Sequence, residues 1–66
     1  MFEEKVLEIA SAVMSNRSKI EFVNGSLFVE DCHPRDAVRL ETILLNMFPV
    51  GIILSRFGNT SAFDFV

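Results

Sequence analysis

The dipeptide Asn24-Gly25 lies between two short segments in which apolar residues recur at every second position. Asn-Gly in this setting is typical of a two-residue hairpin turn of type I′, because both turn residues must adopt positive φ. A turn of this length fixes the strand register, so Phe22 is expected to face Leu27 on an apolar inner face. The remaining predicted pairs are Ile20 with Val29, Glu21 with Phe28, Val23 with Ser26 and, as opposite charges, Lys19 with Glu30.

The second half of the chain repeats this pattern around Gly58-Asn59. Glycine in the first turn position suits a type II′ turn, which places Leu54 opposite Phe63. The inner face of this hairpin is then predicted to comprise Ile52, Leu54, Phe63 and Phe65.

Each hairpin follows a segment with apolar residues at three- and four-residue spacing, which predicts a helix. The first helix is predicted over 3–16, with a polar break at 16–18, and the second runs from Pro34 until Pro49 ends it. Around the last turns of the second helix only Asn46 interrupts the apolar residues, which predicts a helix end covered on two sides. The predicted apolar side of this helix comprises Ala37, Val38, Leu40, Leu44, Leu45 and Met47.

Two helix-hairpin halves, 2–30 and 34–66, predict a single small α+β domain in the order αββαββ. The simplest fold is one four-stranded antiparallel sheet with both helices on one face. Sequence identity between the halves is negligible, so the internal repeat concerns only the order of secondary-structure elements. An arrangement in which the second hairpin pairs with a second copy, through a hinge at 49–51, uses the same elements and stays open.

Half of the 66 residues are apolar. A chain this short leaves much of its surface exposed, so we expect some apolar area to be covered by a second copy, most simply in a homodimer. A net charge of −3 argues against the basic surface of a nucleic-acid binder. The single cysteine, the acids at positions 3 and 4 and the lack of a membrane-length apolar run predict a cytoplasmic protein.

Cys32 and His33 are the only cysteine and histidine in the chain. A catalytic thiol needs a base within reach and a group to orient it, and a structural zinc needs four ligands. The simpler interpretation is a half-buried thiol beside a histidine that caps the second helix or lies exposed in the loop. The carboxylates are scattered and the glycines belong to turns or bends, so we expect no enzyme activity, no cofactor and no metal.

The candidate contact residues are those left over once the core is assigned. Four apolar residues are predicted on the outer sheet face, and long neighbours such as Lys19, Glu21 and Arg56 are the alternative cover for them. The second helix adds two apolar residues and, one turn apart, two arginines. The full set of candidates is Val23, Phe28, Ile53, Phe57, Ile43, Phe48, Arg35 and Arg39.

From these surfaces we expect a non-enzymatic protein-binding or regulatory module that self-associates, such as a compact accessory protein of a microbe or a virus. Two alternatives remain. Arg35 and Arg39 could contact nucleic acid, although the acids Asp31, Asp36 and Glu41 are interleaved with the arginines. The chain could also be a structural subunit of a larger assembly.

Overall fold

The structure is a computed structural model and describes residues 2–14 and 19–66. The order αββαββ predicted from the sequence is confirmed. The polar break predicted at 16–18 lies outside the described residues. The elements are α1 (Phe2–Val13), β1 (Ile20–Val23), β2 (Ser26–Val29), α2 (Pro34–Met47), β3 (Ile52–Phe57) and β4 (Thr60–Phe65).

The four strands form one antiparallel sheet in the order β1-β2-β4-β3. The two hairpins therefore meet through β2 and β4, and β1 and β3 are the outer strands. Both predicted registers are confirmed, with Phe22 opposite Leu27 and Leu54 opposite Phe63. Because Leu27 also faces Phe63, one row of apolar residues crosses the whole sheet.

The turns have the φ signs that their sequences predict. Asn24 and Gly25 both have positive φ, 49° and 81°, which confirms the type I′ prediction. At the second turn φ is positive only at Gly58, at 62°, as a type II′ turn requires. Both turns therefore agree with the two-residue loops from which the registers were predicted.

Both helices pack on the inner face of the sheet and enclose a single core. Phe63 lies at its centre on β4, fully buried, with Leu27 beside it on β2. The rest of the buried cluster is Val6, Ala10, Met14, Val29, Cys32, Ala37, Leu40 and Leu44.

The predicted apolar side of α2 is too wide. Only Ala37, Leu40 and Leu44 are buried, because one stripe of this helix faces α1 and the sheet. Val38 is exposed in the first half of α2 and Leu45 and Met47 are exposed in its last turn, so the residues that the structure describes do not cover the end of α2 on two sides.

One predicted ion pair is also replaced. The Glu30 N–H donates to the Lys19 carbonyl at 2.9 Å, so these residues do lie opposite each other. The Lys19 ammonium, however, lies 3.8 Å from Oε1 of Glu21, two residues further along the chain in β1.

Candidate interaction surface

The outer sheet face carries all four of the apolar candidates from the hairpins. The alternation along the strands puts Val23, Phe28, Ile53 and Phe57 on the side opposite the core. Phe57 is 67% exposed, Ile53 55% and Val23 44%, whereas Phe28 is half-buried.

These four residues do not form one continuous patch. Val23 and Ile53 lie on opposite outer strands, and between them Ser26 Oγ donates a hydrogen bond to Asp64 Oδ1. In the next row Phe28 faces Ala62, which is nearly fully buried although it lies on the open face. The exposed apolar surface is therefore concentrated along β3.

β3 is an outer strand with β4 as its sheet neighbour. Ile53, Ser55 and Phe57 alternate on its outer side, so a small polar residue lies between two large apolar ones. An outer strand leaves backbone N–H and C=O groups unpaired, and these groups are a template for another strand. β3 thus combines exposed side chains with an open backbone edge.

The candidates on α2 are placed differently from one another. Phe48, just after the helix, packs edge to face against Phe2, with ring centroids 5.1 Å apart, and belongs to the margin of the core. Ile43 is half-buried. Arg35 and Arg39 are exposed, and neither forms an ion pair within 2–14 and 19–66.

Arg56 lies on the inner side of β3 and contacts the loop before α2. Its Nη1 donates to the Cys32 carbonyl at 2.7 Å and to Ser61 Oγ at 2.8 Å, and its Nη2 donates to the Gly58 carbonyl at 3.2 Å. Arg56 therefore does not provide the alternative cover considered for the apolar residues of the outer face. The sequence already indicates the inner position of Arg56, because residues two apart on a strand, such as Leu54 and Arg56, share a face.

Cys32 and His33 each have a structural partner. The Cys32 thiol is buried, 3.8 Å from Met14 Sδ and 3.5 Å from the His33 carbonyl. Nδ1 of His33 accepts a hydrogen bond from the Arg35 N–H at 3.1 Å and caps α2. His33 therefore caps α2, as the simpler interpretation allowed, whereas the Cys32 thiol is buried in the core rather than half-buried.

An aromatic pocket of about 410 Å³, which the residue pattern did not predict, lies at the start of α1. The rings of Phe2, Phe22 and Phe65 pack edge to face, with centroids 5.3 to 6.3 Å apart. Glu3, Glu4 and Gly25 complete the lining. The pocket offers an apolar floor and an acidic margin, but none of its six lining residues is a buried polar group that could orient a ligand.

Over the described ranges, 2–14 and 19–66, no helix is long and apolar enough to cross a membrane. The same residues contain no group of three or more His, Cys, Asp or Glu side chains placed to hold a metal ion.

No protein-family model, curated protein or solved structure matches this chain. The class defined by the fold is a small α+β domain with one open sheet face.

Proposed function

We propose that this chain is a non-enzymatic module that acts through protein–protein contacts, and that its first partner is a second copy of itself. The observation that carries this proposal is the exposure of Ile53 and Phe57, each more than half accessible on the same outer strand. Removing such side chains from water favours association by about 25 cal/mol per Å² of apolar area.

The size of the domain supports the same conclusion. A 66-residue chain has a small core and a large surface relative to its volume. Scattered apolar residues are normal on such a surface, but two large ones beside an open strand edge make a contact site. The regulatory contact with another protein is assigned to the exposed side of α2, where Arg35 and Arg39 lie.

A second candidate function, contact with nucleic acid, is favoured by the two exposed arginines of α2. Arg35 and Arg39 lie one turn apart, and no carboxylate in the described ranges pairs with either. Binding through them would weaken steeply with salt, because counterions are released from the phosphates. Retention on a DNA or RNA column at low salt that the double variant Arg35→Ala/Arg39→Ala loses would support this candidate, and no retention would end it.

The test of self-association is the absolute mass measured by light scattering across a dilution series. We expect the wild-type mass to rise toward that of a dimer with concentration and Phe57→Lys to remain a monomer. The matched control is Val23→Lys, which places the same charge on the same sheet face but on the opposite outer strand. Both sites are exposed, so both variants should fold.

A wild-type protein that stays monomeric at every concentration would overturn self-association. A dimer that Val23→Lys disrupts as strongly as Phe57→Lys would overturn the assignment to β3. Circular dichroism of each variant separates loss of association from loss of fold.

A further inference from the structure

We infer that β3 pairs antiparallel with β3 of a second copy, so that two four-stranded sheets join into one continuous sheet across a two-fold axis. This inference rests on the proposed self-association and specifies its geometry.

The hydrogen-bond pattern determines which backbone groups are open on β3. Gly51 and Val66 exchange N–H···O bonds, at 3.2 and 3.0 Å, beside the first pair of the β3–β4 ladder. Antiparallel pairs alternate between bonded and non-bonded, so the odd-numbered residues 51–57 direct their backbone groups toward β4. The N–H and C=O groups of Ile52, Leu54 and Arg56 consequently point to the free edge.

One antiparallel register pairs the open backbone groups of β3 and also brings its exposed side chains into contact. With Ser55 opposite Ser55 of the second copy, Leu54 faces Arg56 of that copy, and both residues have open backbone groups. On the outer face the same register sets Ile53 opposite Phe57 of the second copy, on both sides of the axis. Pairs of an aromatic with a β-branched residue are among the favourable cross-strand contacts.

Charge also fits the pairing of this edge with its own copy. β3 carries no carboxylate, and the guanidinium of its one charged residue, Arg56, is held by three oxygen atoms of its own chain. Two copies can therefore approach along β3 without a row of like charges meeting, although the chain as a whole carries −3. At the other edge Lys19 and Glu21 are exposed, and charged outer strands resist such pairing.

The contact would be small, since it comprises two six-residue strands and the large side chains of Ile53 and Phe57 from each copy. Interfaces that bury less than about 1,200 Å² belong mostly to weak, reversible complexes. We therefore expect a dimer that dissociates on dilution rather than a permanent one.

The first test is a disulfide across the axis, with Ser55→Cys in a Cys32→Ala background. Residues facing each other in a non-bonded antiparallel pair have Cα atoms about 4.5 Å apart, which a disulfide can bridge. The matched control is Glu21→Cys in the same background, because Glu21 occupies the equivalent outer-face position on β1. We expect Ser55→Cys to form covalent dimers at least about tenfold faster, since paired thiols react at a high effective concentration.

The second test uses the Cys32-containing wild type and amide hydrogen exchange by NMR. As concentration rises, exchange at Leu54 and Arg56 should slow, because both amides become paired in the dimer. The matched amides are those of Ile20 and Phe22, which point to the free edge of β1 and should stay fast.

The outcomes separate this inference from the proposed function. Fast crosslinking at Ser55 with slowed exchange at Leu54 supports the β3 pairing. A concentration-dependent dimer that neither crosslinks at Ser55 nor protects Leu54 overturns the geometry and leaves self-association standing. A monomer at all concentrations overturns both.

Discussion

The two outer strands of the sheet differ in length and in charge. β1 has four residues, and its Glu21 forms an exposed ion pair with Lys19 just before the strand, whereas β3 has six residues and exposes Ile53 and Phe57. Short, charged outer strands are a common protection against unwanted strand pairing. The comparison teaches that two hairpins with similar two-residue turns can differ at their outer edges, one short and charged and the other longer and apolar.

The two outer strands are also held to the rest of the chain in different ways. β1 packs beneath α1 and its side chains join the core and the aromatic cluster through Ile20 and Phe22. β3 is fixed in addition by Arg56, which hydrogen-bonds to the loop before α2. The backbone N–H of Cys32 in that loop donates to the Asn59 carbonyl at 2.9 Å. These hydrogen bonds tie β3 and its hairpin to the loop before α2, and an edge already held in place would lose less conformational entropy if it paired with another strand.

The largest loss of stability is expected from a substitution in the core that both hairpins share. Phe63→Ala removes a fully buried ring from β4, between the two hairpins, and should reduce the free energy of unfolding by about 3–5 kcal/mol. The control is Phe57→Ala, the same change on an exposed outer strand, where we expect a change within about 0.5 kcal/mol for the monomer. Urea unfolding in dilute solution measures both, and equal losses would contradict the burial assigned to these rings.

The next largest loss of stability is expected at Arg56 on β3, and it is compared with loss of the exposed Lys19–Glu21 pair at β1. Arg56→Ala leaves the buried Ser61 hydroxyl and the Cys32 carbonyl without their donor, which should cost about 1.5–3 kcal/mol. Lys19→Ala removes an exposed pair and should cost less than about 1 kcal/mol. Arg56→Lys serves as a control, because it keeps the charge but loses the forked geometry. Thermal or urea unfolding that ranks Lys19→Ala as the more damaging variant would be incompatible with this account.

A smaller loss of stability, similar at both positions, is expected at the two turn glycines. Gly25→Ala and Gly58→Ala should each cost about 1–2 kcal/mol, because alanine is strained at positive φ. An added Cβ meets no atom within 4 Å at either position, so the backbone conformation is the cause. Gly25→Asn is the control and should be milder, since asparagine tolerates this region. Unchanged urea midpoints in both alanine variants would refute the turn assignment.

The smallest change in stability is expected from a variant that tests whether charge prevents β1 from pairing with another strand. The double variant Lys19→Thr/Glu21→Thr removes the protecting charges of β1 and should alter stability by less than about 1 kcal/mol. Each copy would then have two edges able to pair, so light scattering should detect masses above the dimer at high concentration. A mass that never exceeds that of wild type would mean that length, rather than charge, protects β1.

The sequence predicts the parts of this fold that depend on near neighbours. Asn24-Gly25 and Gly58-Asn59 set both registers, and Pro34 marks the start of α2. The hydrogen-bond partners of Arg56 could not be predicted in the same way. Its partners include the Cys32 carbonyl, 24 residues away, and are brought close only by the packing of one hairpin beside the other.

The sequence predicted which residues lie on the outer sheet face, but not whether they form one continuous apolar surface. Alternation assigned Val23 and Ile53 to the outer face, yet it could not tell that the Ser26–Asp64 pair separates them. The width of the apolar side of α2 was overestimated for a related reason. Spacing along a helix identifies a stripe, while the neighbours that cover it depend on how the helix lies on the sheet.

The sequence by itself determined the two turn types, the hairpin registers, the order of elements and the face on which each strand residue lies. Those features follow from φ preferences and from the two-residue period of a strand, which act over a few residues. Only the tertiary structure decided that β2 pairs with β4 and that β1 and β3 are outer strands. That choice joins residues as far apart as Ser26 and Asp64, 38 positions along the chain, and depends on burial of the shared row through Leu27 and Phe63.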